Sequence, residues 1–114
     1  MLKEHIQIFT TTVKREDAEK IAQTLVQKRL AGCVQIIGPI SSTFWWKSRI
    51  ETAEEWLCLI KSEKGLFKEL EKTVKETHPY HTPEITVVPI VAGSKEYLLW
   101  LDQELKESRS ASRT

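Results

Sequence analysis

Hydrophobic and polar positions follow two different periods along this chain, and the first two segments show one of each. Residues 5–13 alternate between apolar and polar side chains and are rich in β-branched residues, which is typical of a β-strand. From Ala18 to Leu30 the apolar residues recur every three or four positions, which predicts an amphipathic helix, and Gly32 is expected to end it. The pattern therefore predicts a helix that packs on a sheet.

A long β-hairpin is predicted next. Residues 33–46 and 49–61 form two extended runs, the first interrupted at Gly38, with a turn at Lys47 and Ser48. Each arm would reach about 45–50 Å at ~3.3 Å per residue, whereas a globule of this length has a radius of gyration of about 13 Å. The hairpin should therefore project beyond its own domain.

The tip of this hairpin carries the aromatic residues Phe44, Trp45 and Trp46. A free strand edge and exposed aromatic side chains are both unfavourable in water, so another subunit is expected to cover them. Residues 56–60 support this expectation because they are apolar at every position, a pattern typical of a sheet covered on both faces. The simplest source of a missing layer is a symmetric homo-oligomer.

The remaining segments complete the series of elements. Helical spacing predicts a second helix over residues 63–77. A β-branched run predicts a strand over 85–91, where Pro89 indicates an edge position or a bulge. Ser94 is the expected N-cap of a third helix.

The order strand, helix, strand, strand, helix, strand and terminal helix indicates a fold class. It is the order of the ferredoxin-like fold, which belongs to the α+β class. We expect residues 1–107 to form a single domain and residues 108–114 to form a flexible tail.

Composition narrows the classes of function. Charged residues make up 29% of the 114 residues, yet the net charge is only +1, so neither nucleic acid nor an anionic membrane is an expected partner. No apolar run is long enough for a membrane helix, and Met1 leads into the first strand without a signal-peptide core, so a cytoplasmic protein is expected. The sequence also lacks a Gly-rich phosphate loop, an HExxH motif and a CxxC pair, so we expect no enzyme activity.

The two cysteines are predicted to remain free. With the turn at residues 47–48, the hairpin ladder places Cys33 opposite Ser62 and Cys58 opposite Ile37. The two cysteines would then lie about 13 Å apart, beyond the ~7 Å that a disulfide allows between Cα atoms.

Chemically versatile side chains are concentrated in residues 78–84, His-Pro-Tyr-His-Thr-Pro-Glu. Proline fixes its own φ and keeps the preceding residue extended, so this segment should be a rigid connector. Its His78, His81 and Glu84 offer imidazole and carboxylate ligands for copper or another divalent cation, the only cofactor expected. The alternative is that the two histidines only form hydrogen bonds or face solvent.

A second candidate site is a ligand cleft between subunits that would recognise a small anion or metabolite. Lys61, Tyr80 and Trp46 are its expected residues, with Glu84 nearby. The structural alternatives are an ion pair between Lys61 and Glu84 and burial of Trp46 in a subunit interface.

Several segments together resemble one known family, the CutA family of divalent-cation tolerance proteins, over about residues 5–105. The resemblance implies a ferredoxin-like subunit that forms a homotrimer through the long hairpin, an architecture like that of the PII signalling proteins. The motifs that carry it are AEKIA at 18–22, LAGCV at 30–34, Ser42-x-Phe44-x-Trp46, LIK at 59–61, His78-Pro79-Tyr80-x-x-Pro83-Glu84, VPIV at 88–91 and Tyr97-x-x-Trp100-Leu101.

The resemblance also implies a function and a set of metal ligands. Proposed copper ligands of the family are a cysteine at the end of the first strand and two adjacent histidines before Pro-Tyr. Here Thr10 stands at the cysteine position and Thr77 at the first histidine position, which leaves His78. We therefore expect a trimeric protein of copper-type divalent metal tolerance that binds metal weakly. The alternative is a PII-like small-molecule sensor or a trimeric assembly scaffold for a partner protein.

Overall fold

The computed structural model describes residues 3–107, and the expected tail, 108–114, lies outside them. The elements in chain order are β1 (His5–Thr12), α1 (Arg15–Gln27), β2 (Cys33–Trp46), β3 (Arg49–Glu63), a 3-10 turn (Lys64–Leu66), α2 (Phe67–Thr77), β4 (Thr86–Pro89) and α3 (Lys95–Glu104). The four strands form one antiparallel sheet in the order β2-β3-β1-β4, which confirms the predicted α+β, ferredoxin-like fold. Among the described residues no helix is long and apolar enough to cross a membrane.

The core lies on one face of the sheet. Ile8 of β1 pairs with Ile60 of β3, and both are fully buried. The fully buried helical residues that join this core are Ala18, Leu25, Leu70 and Leu101. Apolar residues on the opposite face are less well covered: Ile37 is 48% and Val88 43% exposed.

The predicted hairpin is confirmed. Its strands are 14 and 15 residues long, and they account for a molecule whose longest dimension is 50 Å. Trp46 pairs with Arg49 across the predicted turn. The tip is open to solvent, since Trp45 is 72% and Trp46 58% exposed.

The predicted pairing is correct near the hairpin tip and wrong near its base. A register shift between Ile37 and Ile40 places one extra residue in β2, so Cys33 pairs with Lys61 and Cys58 pairs with Ile36. Both cysteines are free, as expected.

The register shift is accommodated by close packing at Gly38. A Cβ atom there would lie 2.5 Å from Cε3 of Trp56, so only glycine fits against the indole ring. The guanidinium of Arg15 lies 5.2 Å from the centre of the same ring. Trp56 therefore joins the irregular part of β2 to the start of α1.

The prediction that Gly32 ends the first helix is wrong. Helix α1 ends at Gln27, and Arg29 takes the left-handed conformation, with φ of 56°. The amide of Leu30 donates to the Leu25 carbonyl and the amide of Arg29 to the Val26 carbonyl. This pair of bonds is the Schellman motif, formed here without glycine.

The later elements differ from prediction mainly at their boundaries. Helix α2 begins at Phe67, after the 3-10 turn, and β4 is shorter than the predicted strand. Strand β4 lies at the sheet edge, as Pro89 indicated. The Ser94 hydroxyl accepts a 3.3 Å hydrogen bond from the Tyr97 amide, which confirms the predicted N-cap of α3.

Candidate functional site

The candidate site is the connector, residues 78–84, which joins α2 to β4. Helix α2 ends at Thr77 because His78, which precedes Pro79, is extended, with φ of −76° and ψ of 136°. The predicted helix-to-strand connector is thus in place, and its first residue turns back towards β1.

Both ring nitrogens of His78 are engaged in hydrogen bonds. Nδ1 accepts from the Tyr80 amide at 3.1 Å, so Nε2 carries the proton and donates to the Thr11 carbonyl at 2.7 Å. The residue is only 7% exposed. Burial lowers the pKa of His78 below 6.5, against smaller opposing effects of the Thr11 bond and of Asp17 and Glu55. The imidazole is therefore held in its neutral form.

Tyr80 continues this chain of contacts towards β3. Its hydroxyl donates a 2.7 Å hydrogen bond to the Glu55 carboxylate, which is almost buried. Its ring lies 4.7 Å, centre to centre, from the His78 ring. Burial, followed by the bond to Glu55 and the charge of that carboxylate, raises the Tyr80 pKa well above its usual value of 10.0, so the phenol remains a donor.

Sequence reasoning missed Glu55 as a partner of the connector. The two residues that meet, Tyr80 and Glu55, are 25 positions apart in the chain. Glu55 directly precedes the apolar run 56–60 of β3, but its alternating row also contains Glu51 and Lys61, so the sequence does not mark it as a buried acid. Its burial appears only in the structure, where the bond from Tyr80 satisfies the carboxylate.

The other two predicted metal ligands lie on the outside of the connector. His81 and Glu84 are exposed, and Glu84 accepts a 2.9 Å hydrogen bond from the Thr86 hydroxyl. Residues 3–107 contain no group of three or more His, Cys, Asp or Glu side chains arranged to hold a metal ion. A complete site does not fit the residues of one subunit, so the metal-binding prediction for His78, His81 and Glu84 now depends on a neighbouring subunit.

The two threonines at the family's ligand positions are oriented away from such a site. Thr10 is fully buried on the face of β1 that packs against the helices, opposite Cys58, and its hydroxyl has no hydrogen-bond partner among residues 3–107. The Thr77 hydroxyl donates to the Thr73 carbonyl one turn earlier in α2, at 2.8 Å.

The three predicted cleft residues are far apart in one subunit. Lys61 lies six residues along β3 from Glu55, the partner of Tyr80, and Glu55 lies six residues from Arg49, the partner of Trp46. Each interval corresponds to about 20 Å at ~3.3 Å per residue. A cleft that contains all three residues therefore requires more than one subunit.

The predicted ion pair between Lys61 and Glu84 does not form. The Lys61 ammonium instead donates to the Gln35 side chain at 2.6 Å, and Glu84 is bonded to Thr86. Lys61 pairs with Gln7 and Glu84 precedes β4, so the two lie at different levels of the sheet.

Comparison with known proteins gives consistent results. The family model of the CutA1 divalent ion tolerance protein matches residues 6–104. The chain is 42% identical over 102 residues to the divalent-cation tolerance protein CutA of Archaeoglobus fulgidus, a match that covers 90% of this chain and 99% of that one. The solved structure of a CutA from that organism, described as periplasmic, has a TM-score of 0.87 at 42% identity, with the same coverage.

Rice proteins give a second comparison. The crystal structure of CutA1 from Oryza sativa has a TM-score of 0.91 at 33% identity, over 93% of this chain and 97% of that one. A rice relative named Protein CutA 1, chloroplastic, is 34% identical over 103 residues; the match covers 90% of this chain but only 58% of the rice protein. Because the matches in sequence and in structure span nearly all the described residues, the chain belongs to the CutA1 divalent ion tolerance protein family.

Proposed function

We propose that this protein acts in divalent-cation tolerance as a homotrimer, and that it binds a copper-type ion weakly at the outer side of the connector. The family supports the general role, since relatives carry the name divalent-cation tolerance protein. The trimer and the metal are proposals for this chain.

The observation that carries the assembly is the uncovered apolar surface of one subunit. The tip residues Trp45 and Trp46 are mostly exposed, and Ile50, opposite Trp45 in the ladder, is also exposed. The same is true of Ile37 and Val88 on the sheet face that lies opposite the core. Exposed apolar residues in such number favour a protein interface, and identical subunits would cover them symmetrically.

The connector supplies the groups for a weak metal site. His81 and Glu84 are exposed on a proline-stiffened segment and offer one imidazole and one carboxylate, ligands that suit copper and zinc. His78 contributes a nitrogen only if it gives up a hydrogen bond. Protein sites for these ions usually have three or four ligands, so the remaining ones would come from a neighbouring subunit or from water.

Two measurements test this function. Light scattering in dilute solution should give about three times the 13.2 kDa subunit mass, and a mass of one subunit would refute the trimer.

Calorimetric titration of copper and of zinc into metal-free protein should give micromolar or weaker binding. His81→Ala and Glu84→Gln should reduce the affinity, while Glu16→Gln, at an exposed site on α1, should leave it unchanged. Equal affinity in all variants would exclude the connector.

A cytoplasmic location is also a proposal. The names of relatives point to more than one compartment, because one is called periplasmic and another chloroplastic. Fractionation of the native host with antibody detection tests it, and recovery outside the cytoplasm would overturn it.

A further inference from the structure

We infer that His78 is a positioning residue rather than a metal ligand: its imidazole joins the end of β1 to Tyr80 and so holds the Tyr80 hydroxyl on Glu55, where the hairpin extends past the end of β1. This inference rests on the proposed function in one respect, because the hairpin is the proposed contact of the trimer.

The two nitrogens of His78 provide the first step. Metal coordination needs a ring nitrogen with a free lone pair, and the neutral ring has one, on the nitrogen without a proton. In His78 that lone pair is on Nδ1 and accepts the Tyr80 amide, while Nε2–H donates to the Thr11 carbonyl. Coordination would leave either the part-buried Tyr80 amide or the buried Thr11 carbonyl without its partner, which is costly.

The end of β1 provides the second step. Thr12 is the last residue of β1 and pairs with Trp56 of β3, so Glu55 is the first β3 residue beyond the support of β1. Tyr80 reaches this position and bonds to the Glu55 carboxylate. The connector therefore takes over lateral support of β3 at the point where its neighbouring strand stops.

The orientation of Tyr80 provides the third step. The His78 ring fixes Tyr80 twice, through the bond from its amide to Nδ1 and through the contact between the two rings. Pro79, between them, removes one backbone freedom. Thr11, His78, Tyr80 and Glu55 thus form one continuous chain of contacts across β1, the connector and β3.

The first test is the tautomer of His78. Long-range ¹H–¹⁵N NMR spectra of the full-length protein should show His78 protonated at Nε2 and unprotonated at Nδ1. The signals of the exposed His81 in the same spectra serve as the matched reference. Substoichiometric copper should broaden the His81 signals before those of His78. A ring protonated at Nδ1, or broadening of His78 first, would overturn the inference.

The second test is a pair of half-replacements. His78→Asn keeps an acceptor near Nδ1, whereas His78→Gln keeps a donor near Nε2. Hydrogen exchange of the Tyr80 amide should become about tenfold faster in His78→Gln and in His78→Ala, as expected for one lost hydrogen bond, and should be largely rescued in His78→Asn. Unchanged exchange in His78→Ala would refute the contact.

The third test measures coupling between His78 and the hydroxyl of Tyr80. Tyr80→Phe should lower the equilibrium constant for folding about tenfold in the parent but less than about threefold in the His78→Ala background. Equal effects in both backgrounds would overturn the positioning role. Absence of metal binding in every variant would count against the proposed function, while the tautomer of His78, the exchange of the Tyr80 amide and the coupling to Tyr80→Phe would still test the inference. Loss of metal binding in His78→Ala, with hydrogen exchange of the Tyr80 amide unchanged, would overturn this inference and leave the proposed metal-binding function standing.

Discussion

Gly32 lies directly beneath the Leu101 side chain of α3. A Cβ atom at residue 32 would come within 2.5 Å of Leu101 Cδ1, and Leu101 is fully buried. The glycine therefore sets how closely the start of β2 approaches α3, a packing role rather than the helix-ending role that its place in the sequence indicated.

The first prediction follows from this contact. Gly32→Ala should lower the free energy of unfolding by about 1–3 kcal/mol, because Leu101 must leave its position in a filled core. Gly93→Ala is a matched control, since its Cβ would meet Leu98 atoms at 3.4 Å and beyond. Urea unfolding at a fixed protein concentration measures both variants. Equal midpoints for the two would contradict the packing role of Gly32.

The second prediction compares two buried threonines of β1. The Thr12 hydroxyl donates a 2.8 Å hydrogen bond to the Lys14 carbonyl, whereas the buried Thr10 hydroxyl has no partner in the described part of the chain. Thr10→Val should be neutral or stabilise by up to about 1 kcal/mol, because it removes an unsatisfied polar group. Thr12→Val should destabilise by about 1 kcal/mol or more.

The same unfolding measurement distinguishes them. A loss of stability in Thr10→Val as large as that in Thr12→Val would contradict the prediction. It would mean that the Thr10 hydroxyl does have a hydrogen-bond partner, such as a buried water.

The fold was largely predictable because its signals are local. Each helix shows its own period, and the two residues of the hairpin turn follow from where the extended runs stop. The register at the hairpin base was not predictable, because one extra residue in β2 shifts the pairing without changing the apolar pattern of β3. The end of α1 was mispredicted since Arg29 adopts a conformation usually associated with glycine.

The site was predictable only in part. The prolines of the connector indicated its rigidity, and the concentration of imidazole, phenol and carboxylate groups in residues 78–84 drew attention to His78. The contacts that decide the role of His78 come from Thr11 and Glu55, which are distant in sequence and carry no motif. Lys61, Tyr80 and Trp46 were assigned to one cleft because of their chemical type. In the structure their positions are spread along β3, so they do not meet within one subunit.

The third prediction concerns the hairpin turn. Lys47 and Ser48 both have positive φ, 50° and 65°, and a side chain in this left-handed region costs roughly 1–2 kcal/mol. Glycine removes that cost but adds freedom to the unfolded chain, so Ser48→Gly should stabilise by up to about 1 kcal/mol. Ser41→Gly, in a regular part of β2, should instead destabilise by about 0.5–1 kcal/mol. A loss of stability in Ser48→Gly would contradict the turn geometry.

The fourth prediction concerns the Cys58 thiol. Burial raises the pKa of Cys58 from 9.0 to about 11, and its Sγ lies 4.0 Å from the Ala18 carbonyl oxygen. Two pKa units reduce the reactive thiolate about a hundredfold at pH 8. In a Cys33→Ala background, reaction with a disulfide reagent should therefore be at least about a hundredfold slower in folded protein than in guanidinium.

The pH dependence of this reaction separates ionisation from simple steric protection. In the unfolded protein the rate should level off above about pH 10, where a thiol with a pKa near 9 is almost fully ionised. In the folded protein the rate should keep rising towards pH 11, because the raised pKa delays ionisation. The folding stability should change in the opposite direction to the reaction rate. Between pH 9 and 11 the unfolded state loses the Cys58 proton while the folded state keeps it, so this residue lowers the free energy of unfolding as pH rises. A folded rate that levels off at about pH 10, as in the unfolded protein, would contradict the raised pKa.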